Sequence, residues 1–78
     1  MPACRLVLFG LKAGQEVRPH SVKPKVIMFL ISGKGFFNAG EREKESEEGT
    51  IVICEPDEAH GMRALQQMIV LAAIIPSP

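Results

Sequence analysis

The chain has 78 residues, the size of one domain spanning 1–78. A chain this short buries only about 60% of its unfolded surface, so a partner subunit is an expected source of stability. Nine basic and nine acidic residues cancel. That balance argues against a nucleic-acid module, which carries a basic excess on one face.

The two cysteines, Cys4 and Cys54, are too few for a disulfide framework and read as small buried hydrophobes. The opening Met-Pro-Ala-Cys is too short and uncharged for a signal peptide. The longest apolar run, 68–75, is eight residues, far below the roughly 20 that span a bilayer. The expectation is a cytoplasmic protein with no membrane partner.

Residues 5–9 (Arg-Leu-Val-Leu-Phe) predict a strand, bounded by Gly10 and the turn at 12–14. Residues 16–18 are short and polar. Pro19 and Pro24 lack amide donors, so the stretch around His20 belongs at a sheet edge or a corner. Residues 26–31 (Val-Ile-Met-Phe-Leu-Ile) form an apolar run ended by Ser-Gly-Lys-Gly, which predicts a strand buried on both faces. Residues 27–31 and 36–38 read as hairpin partners.

Residues 41–48 (Glu-Arg-Glu-Lys-Glu-Ser-Glu-Glu) carry helix formers but no apolar face. They read as a charge-protected edge strand, with a helical turn or disordered loop as the alternative. Residues 49–54 are a clean strand, followed by the turn Glu-Pro-Asp-Glu. Residues 64–75 fit either a helical stripe or a buried strand after a turn at Gln66-Gln67. Six or seven short strands separated by glycine turns point to an all-β sandwich or barrel.

Gly14, five residues and then His20, with Gly33 closing the segment, resembles the first motif of the cupin family. Gly49 followed by Pro-Asp-Glu-Ala-His60-Gly61 resembles the second. The resemblance covers about residues 6–75. It implies a small double-stranded β-helix, the jelly-roll or cupin barrel, forming a homodimer with a pocket in the barrel mouth. On this reading 68–75 is the final strand.

The same resemblance implies one divalent transition metal (Mn, Fe, Ni or Zn) on two histidines and a glutamate from the first motif and one histidine from the second. His20 and His60 stand at two of those positions. The second histidine position holds Val22, the glutamate position Val26, and the asparagine often found after the last histidine is Ala64. A tightly held metal takes three or more protein ligands. The remaining donors to consider are Glu58, Glu16 and Cys54.

A period of two places Arg18, His20 and Val22 on one face, and Val26, Met28 and Leu30 on one face of the next strand. The expected pocket is therefore His20, Val22, Val26, Met28, His60 and Met62. His60, whose pKa lies near neutrality, is the candidate general base. Arg18, Lys23 and Lys25 form either a solvated rim or an attractor for an anionic ligand.

Three functions follow, in this order. The first is a barrel that binds a small molecule with weak or absent metal binding. The second is a divalent-metal cupin enzyme of dioxygenase, isomerase or lyase type using His20 and His60. The third is a structural dimerisation domain. The sequence leaves open whether the chain is an enzyme.

Overall fold

The computed structural model describes residues 4–75. The expectations for the opening Met-Pro-Ala and for the closing Pro-Ser-Pro fall outside them.

Eight strands are present among the described residues, where six or seven were expected: β1 (Arg5–Leu11), β2 (Glu16–Ser21), β3 (Lys25–Ser32), β4 (Lys34–Ala39), β5 (Arg42–Glu47), β6 (Ile51–Cys54), β7 (Ala59–Ala64) and β8 (Met68–Ile75). They form two four-stranded sheets, ordered β1-β8-β3-β6 and β2-β7-β4-β5. All pairings are antiparallel. Every connection except β4–β5 crosses from one sheet to the other, which is the winding of a double-stranded β-helix.

The core lies between the sheets. Met28, Leu30, Phe37, Met68 and Val70 are almost wholly buried there. The alternation in β8 is clean: Met68, Val70 and Ala72 point inward, and the residues between them are only half-buried. That period of two, with its β-branched residues, decides residues 68–75 for strand over helix.

Several expectations are corrected. Gly10 does not bound the first strand but lies within β1, paired with Ile69. The runs 27–31 and 36–38 are not hairpin partners. β3 pairs with β8 and β6, while β4 pairs with β5 and β7 in the other sheet. Gly33 makes that crossing possible, with a φ of 93°. A Cβ there would collide with the Gln67 carbonyl and the Met68 Cα, so the chain can pass only as glycine. Nor is β3 buried on both faces: Val26, Met28 and Leu30 are buried, but Phe29 and Ile31 are exposed.

The charged stretch 41–48 resolves as β5, an edge strand paired only with β4. Its lysine and glutamates protect that edge from pairing with other chains. Cys54 is buried as expected, and burial, aided by the charges of Glu58 and Glu55, pushes its thiol pKa up. Cys4 is exposed, contrary to expectation.

The two outer faces differ in chemistry. Across β1-β8-β3-β6, Leu8, Leu71, Phe29 and Ile51 stand opposite one another in one row, and Leu6, Ala73, Ile27 and Ile53 in the next. Across β2-β7-β4-β5, the matching row is Glu16, Arg63, Phe36 and Glu45. There the Arg63 guanidinium covers the Phe36 ring at 4.5 Å and reaches Glu43 at 3.7 Å.

Candidate functional site

The site is built where the two histidine-bearing corners meet. Glu55–Glu58 forms a tight turn, closed by the Glu58 amide donating to the Glu55 carbonyl at 3.0 Å. Pro56 presets the turn, and Asp57 takes a φ of 67°, a left-handed position that aspartate tolerates. The Asp57 amide then donates to the Val22 carbonyl at 2.9 Å. This bond ties the second corner to the loop that leaves β2. From there β7 delivers His60 directly opposite His20 in β2.

A register shift between Val17 and His20 sets the direction of His20. Val17 pairs with Met62 and His20 with His60, so β2 carries one extra residue in this interval. A β-bulge of this kind resets the alternation of side chains. Pro19, which has no amide to lose, lies in it. Gly61 on β7 accommodates the bulge, because a Cβ there would stand 2.6 Å from the Val17 carbonyl oxygen and 2.8 Å from the Pro19 nitrogen.

The bulge corrects one sequence inference. Arg18 does not share a face with His20; its side chain is 90% exposed, near Glu16 at 3.9 Å. Val17 takes the inward place instead.

Between the sheets lies a cavity of about 240 Å³, lined by Phe9, Val17, His20, Val22, Val26, Met28, His60, Met62, Ala72 and Ile74. All six residues expected at the pocket lie on this wall. Phe9, Val17, Ala72 and Ile74 were not foreseen. Ala72 and Ile74 follow from extending the alternation of β8, a signal open to reading once 68–75 is taken as strand. Val17 had no local signal, because the bulge inverts its expected face.

The wall is apolar except for two imidazoles. Their ring centroids are 4.6 Å apart and the planes are tilted by 48°. His20 is exposed at the mouth and His60 is buried. The Arg18 carbonyl lies 3.0 Å from His20 Nδ1. His60 Nδ1 is closed off from solvent and lacks a well-formed hydrogen bond. Burial lowers the His60 pKa, the neighbouring His20 adds to that effect, and the Glu58 backbone opposes it. His60 is therefore the less readily protonated form of a ring that already titrates near neutrality.

The donor set does not fit a tightly held divalent metal. Val22 and Val26 occupy the expected ligand positions and line the same cavity. Glu58 turns back on its own corner, where its Oε1 accepts from the Glu55 amide at 3.2 Å. Glu16 faces solvent beside Arg18. Cys54 is buried outside the cavity wall. Among the described residues, no group of three His, Cys, Asp or Glu is placed to hold an ion.

Of the basic cluster, Lys25 lies 3.4 Å from Glu55 and Arg18 lies near Glu16, so neither contributes charge to the cavity. Lys23 is exposed.

The family described as AraC-like ligand binding domain matches residues 7–74. No curated protein sequence matches the chain. Among solved structures, the chain is similar to an RmlC-like cupin protein from Desulfovibrio desulfuricans, with 29% identity and a TM-score of 0.87, over 97% of this chain and 74% of that one. It is similar to a conserved protein of unknown function from Streptococcus pyogenes, with 19% identity and a TM-score of 0.89, over 96% of this chain and 66% of that one. It is also similar to the salicylate 1,2-dioxygenase of Pseudoaminobacter salicylatoxidans, with 18% identity and a TM-score of 0.88, over 95% of this chain but only 20% of the dioxygenase. The last two likenesses are of fold alone.

Proposed function

Taking as premise that the chain belongs to the AraC-like ligand-binding domain family, a cupin-type domain, we propose that it binds a small, mostly apolar molecule in the cavity between its sheets and needs no resident metal to do so. The observation that carries this reading is the cavity wall itself: eight apolar side chains and two imidazoles around about 240 Å³. That volume is below the roughly 300–1,000 Å³ of pockets for drug-sized ligands, so the guest is small.

The experiment is a melting-shift screen of small apolar compounds on the intact chain and on Ala72→Phe. Ala72 is buried on the wall, and the larger ring would fill the space. Binders should raise the melting temperature of the parent and leave the variant unmoved. Equal shifts in both would place binding elsewhere.

The juxtaposed imidazoles favour a second reading, a divalent-metal cupin enzyme of dioxygenase, isomerase or lyase type. One solved relative is a dioxygenase, which supports the reading by fold only. Stoichiometric metal in the purified protein, lost together with turnover of a substrate in His60→Ala, would support it; no metal would count against it.

A second copy of the chain is the proposed partner at the apolar outer face of β1-β8-β3-β6. Leu6 and Leu8 are each 64% exposed there and Ile51 60%. A contiguous apolar sheet face of this kind marks an interaction surface, and two-fold pairing is the default symmetry.

A further inference from the structure

Two four-stranded sheets leave four edges, at β1, β6, β2 and β5. An edge strand offers a row of unpaired N–H and C=O groups, and folded proteins guard such edges against added strands. Three of the four are guarded in recognisable ways. β5 carries Arg42, Glu43, Lys44, Glu45 and Glu47. β2 carries Glu16, Arg18 and Pro19 and is broken by its bulge. β6 is only four residues long.

β1 has none of these devices. It runs for seven residues without a proline, an acidic side chain or a register shift, and its one charge, Arg5, stands at its end. Among the described residues it pairs only with β8. In an antiparallel ladder, every second residue of β1 therefore turns its N–H and C=O away from the sheet. Both sides of the strand are apolar at this edge. Leu6 and Leu8 are exposed on the outer side, and Val7 and Phe9 on the inner side are only half-buried. Gly10 weakens a strand, and nothing in its own chain needs it, since a Cβ there would meet no atom within 4 Å. A glycine inside a strand often marks the close approach of another backbone.

We propose that β1 takes β1 of a second copy as an added antiparallel strand, joining the two β1-β8-β3-β6 sheets into one of eight strands. This rests on the reading of a second copy as the partner and gives that copy a backbone contact distinct from stacking on the outer face. Antiparallel pairing of a strand with itself has two-fold symmetry, as a closed dimer requires. A register centred on Leu8 uses the whole strand. It sets Leu6 opposite the partner's Gly10, where there is room for the leucine. It also sets Arg5 opposite the partner's Leu11. The two guanidiniums then stand at opposite ends, roughly 20 Å apart, beyond the screening length of about 10 Å.

The test is a charge swap across the two-fold axis. Leu6→Lys with Gly10→Lys puts lysine opposite lysine twice in the dimer. Leu6→Lys with Gly10→Glu puts lysine opposite glutamate twice. Within one chain these positions lie about 13 Å apart along the strand, so the pairs form only between copies. Both positions are exposed, and both variants lose the same leucine. Sedimentation equilibrium should give the lysine–glutamate variant a dimer about tenfold tighter than the lysine–lysine variant. Hydrogen exchange of the parent needs no variant. Dilution should speed exchange at every second β1 amide and leave the β8 amides unchanged.

Equal weakening in both variants would overturn the edge pairing and leave the face contact standing. Dimers unweakened in the lysine–lysine variant, or β1 exchange indifferent to dilution, would overturn it as well. A parent that stays monomeric at high concentration would sink both this inference and the second-copy reading.

Discussion

His20 and His60 stand directly opposite one another on paired strands, with ring centroids 4.6 Å apart, one at the mouth of an apolar cavity and the other buried. They come from corners 40 positions apart in the chain. A bulge at Pro19 and the missing side chain of Gly61 bring them face to face.

Stability should fall in mildly acidic solution. The His60 pKa is lowered from its ordinary value of 6.5 by burial first and by His20 second. No titratable side chain from β1, β3 or β8 lines the cavity facing it. A base with a depressed folded-state pKa is protonated first in the unfolded chain. Its contribution is therefore complete above 6.5 and is lost as pH falls from there through the folded-state pKa. Urea midpoints measured across this window should decline toward low pH, and His60→Gln should flatten that part of the profile.

Gly61→Ala should destabilise the fold by about 1–3 kcal/mol, the usual cost of overpacking. The added Cβ meets backbone atoms of Val17 and Pro19, which cannot swing aside like a side-chain tip. Denaturation should show the loss, and the His20 ring resonances should shift because the bulge carries that ring.

Metal binding should be created by restoring two donors. Val22 and Val26 line the same cavity as the imidazoles and stand at the expected ligand positions. The double variant Val22→His, Val26→Glu should retain near-stoichiometric transition metal after dialysis, as read by elemental analysis. The parent should retain little. A parent that holds as much as the variant would refute the poor fit of its donor set.

Charge on the apolar outer face should break self-association. Leu8 and Ile51 lie in one cross-strand row with Leu71 and Phe29. Leu8→Lys combined with Ile51→Lys should sediment as a monomer where the parent forms a dimer, with little change in fold because both side chains are exposed. A monomeric parent at micromolar concentration would remove the proposed interface.

The two thiols should differ sharply in reactivity. Cys4 is exposed, and Cys54 is buried with its pKa pushed up by burial. Only thiolate reacts, so iodoacetamide should alkylate Cys4 in the native protein and reach Cys54 only on unfolding. Mass spectrometry of timed samples reads the order directly.

The amino-acid sequence by itself determined the all-β class and the strands at 5–9, 26–31 and 49–54, since β-branched runs are local signals, but it left 64–75 open between helix and strand. It favoured a charged edge strand over a helical turn or loop at 41–48, a choice the structure decided for the strand, because a stretch with no apolar face has nothing to bury. It also placed the two histidines at corners, and the valines where ligands are expected. Only the tertiary structure decided which strands pair. β3 and β4 adjoin in sequence yet enter opposite sheets, because Gly33 turns the chain across the core rather than back on itself. It decided that Val17 faces inward and Arg18 outward, since one extra residue in β2 reverses the parity that a period of two assumes. It also decided that the two imidazoles meet, because the pairing of β2 with β7 sets His20 opposite His60.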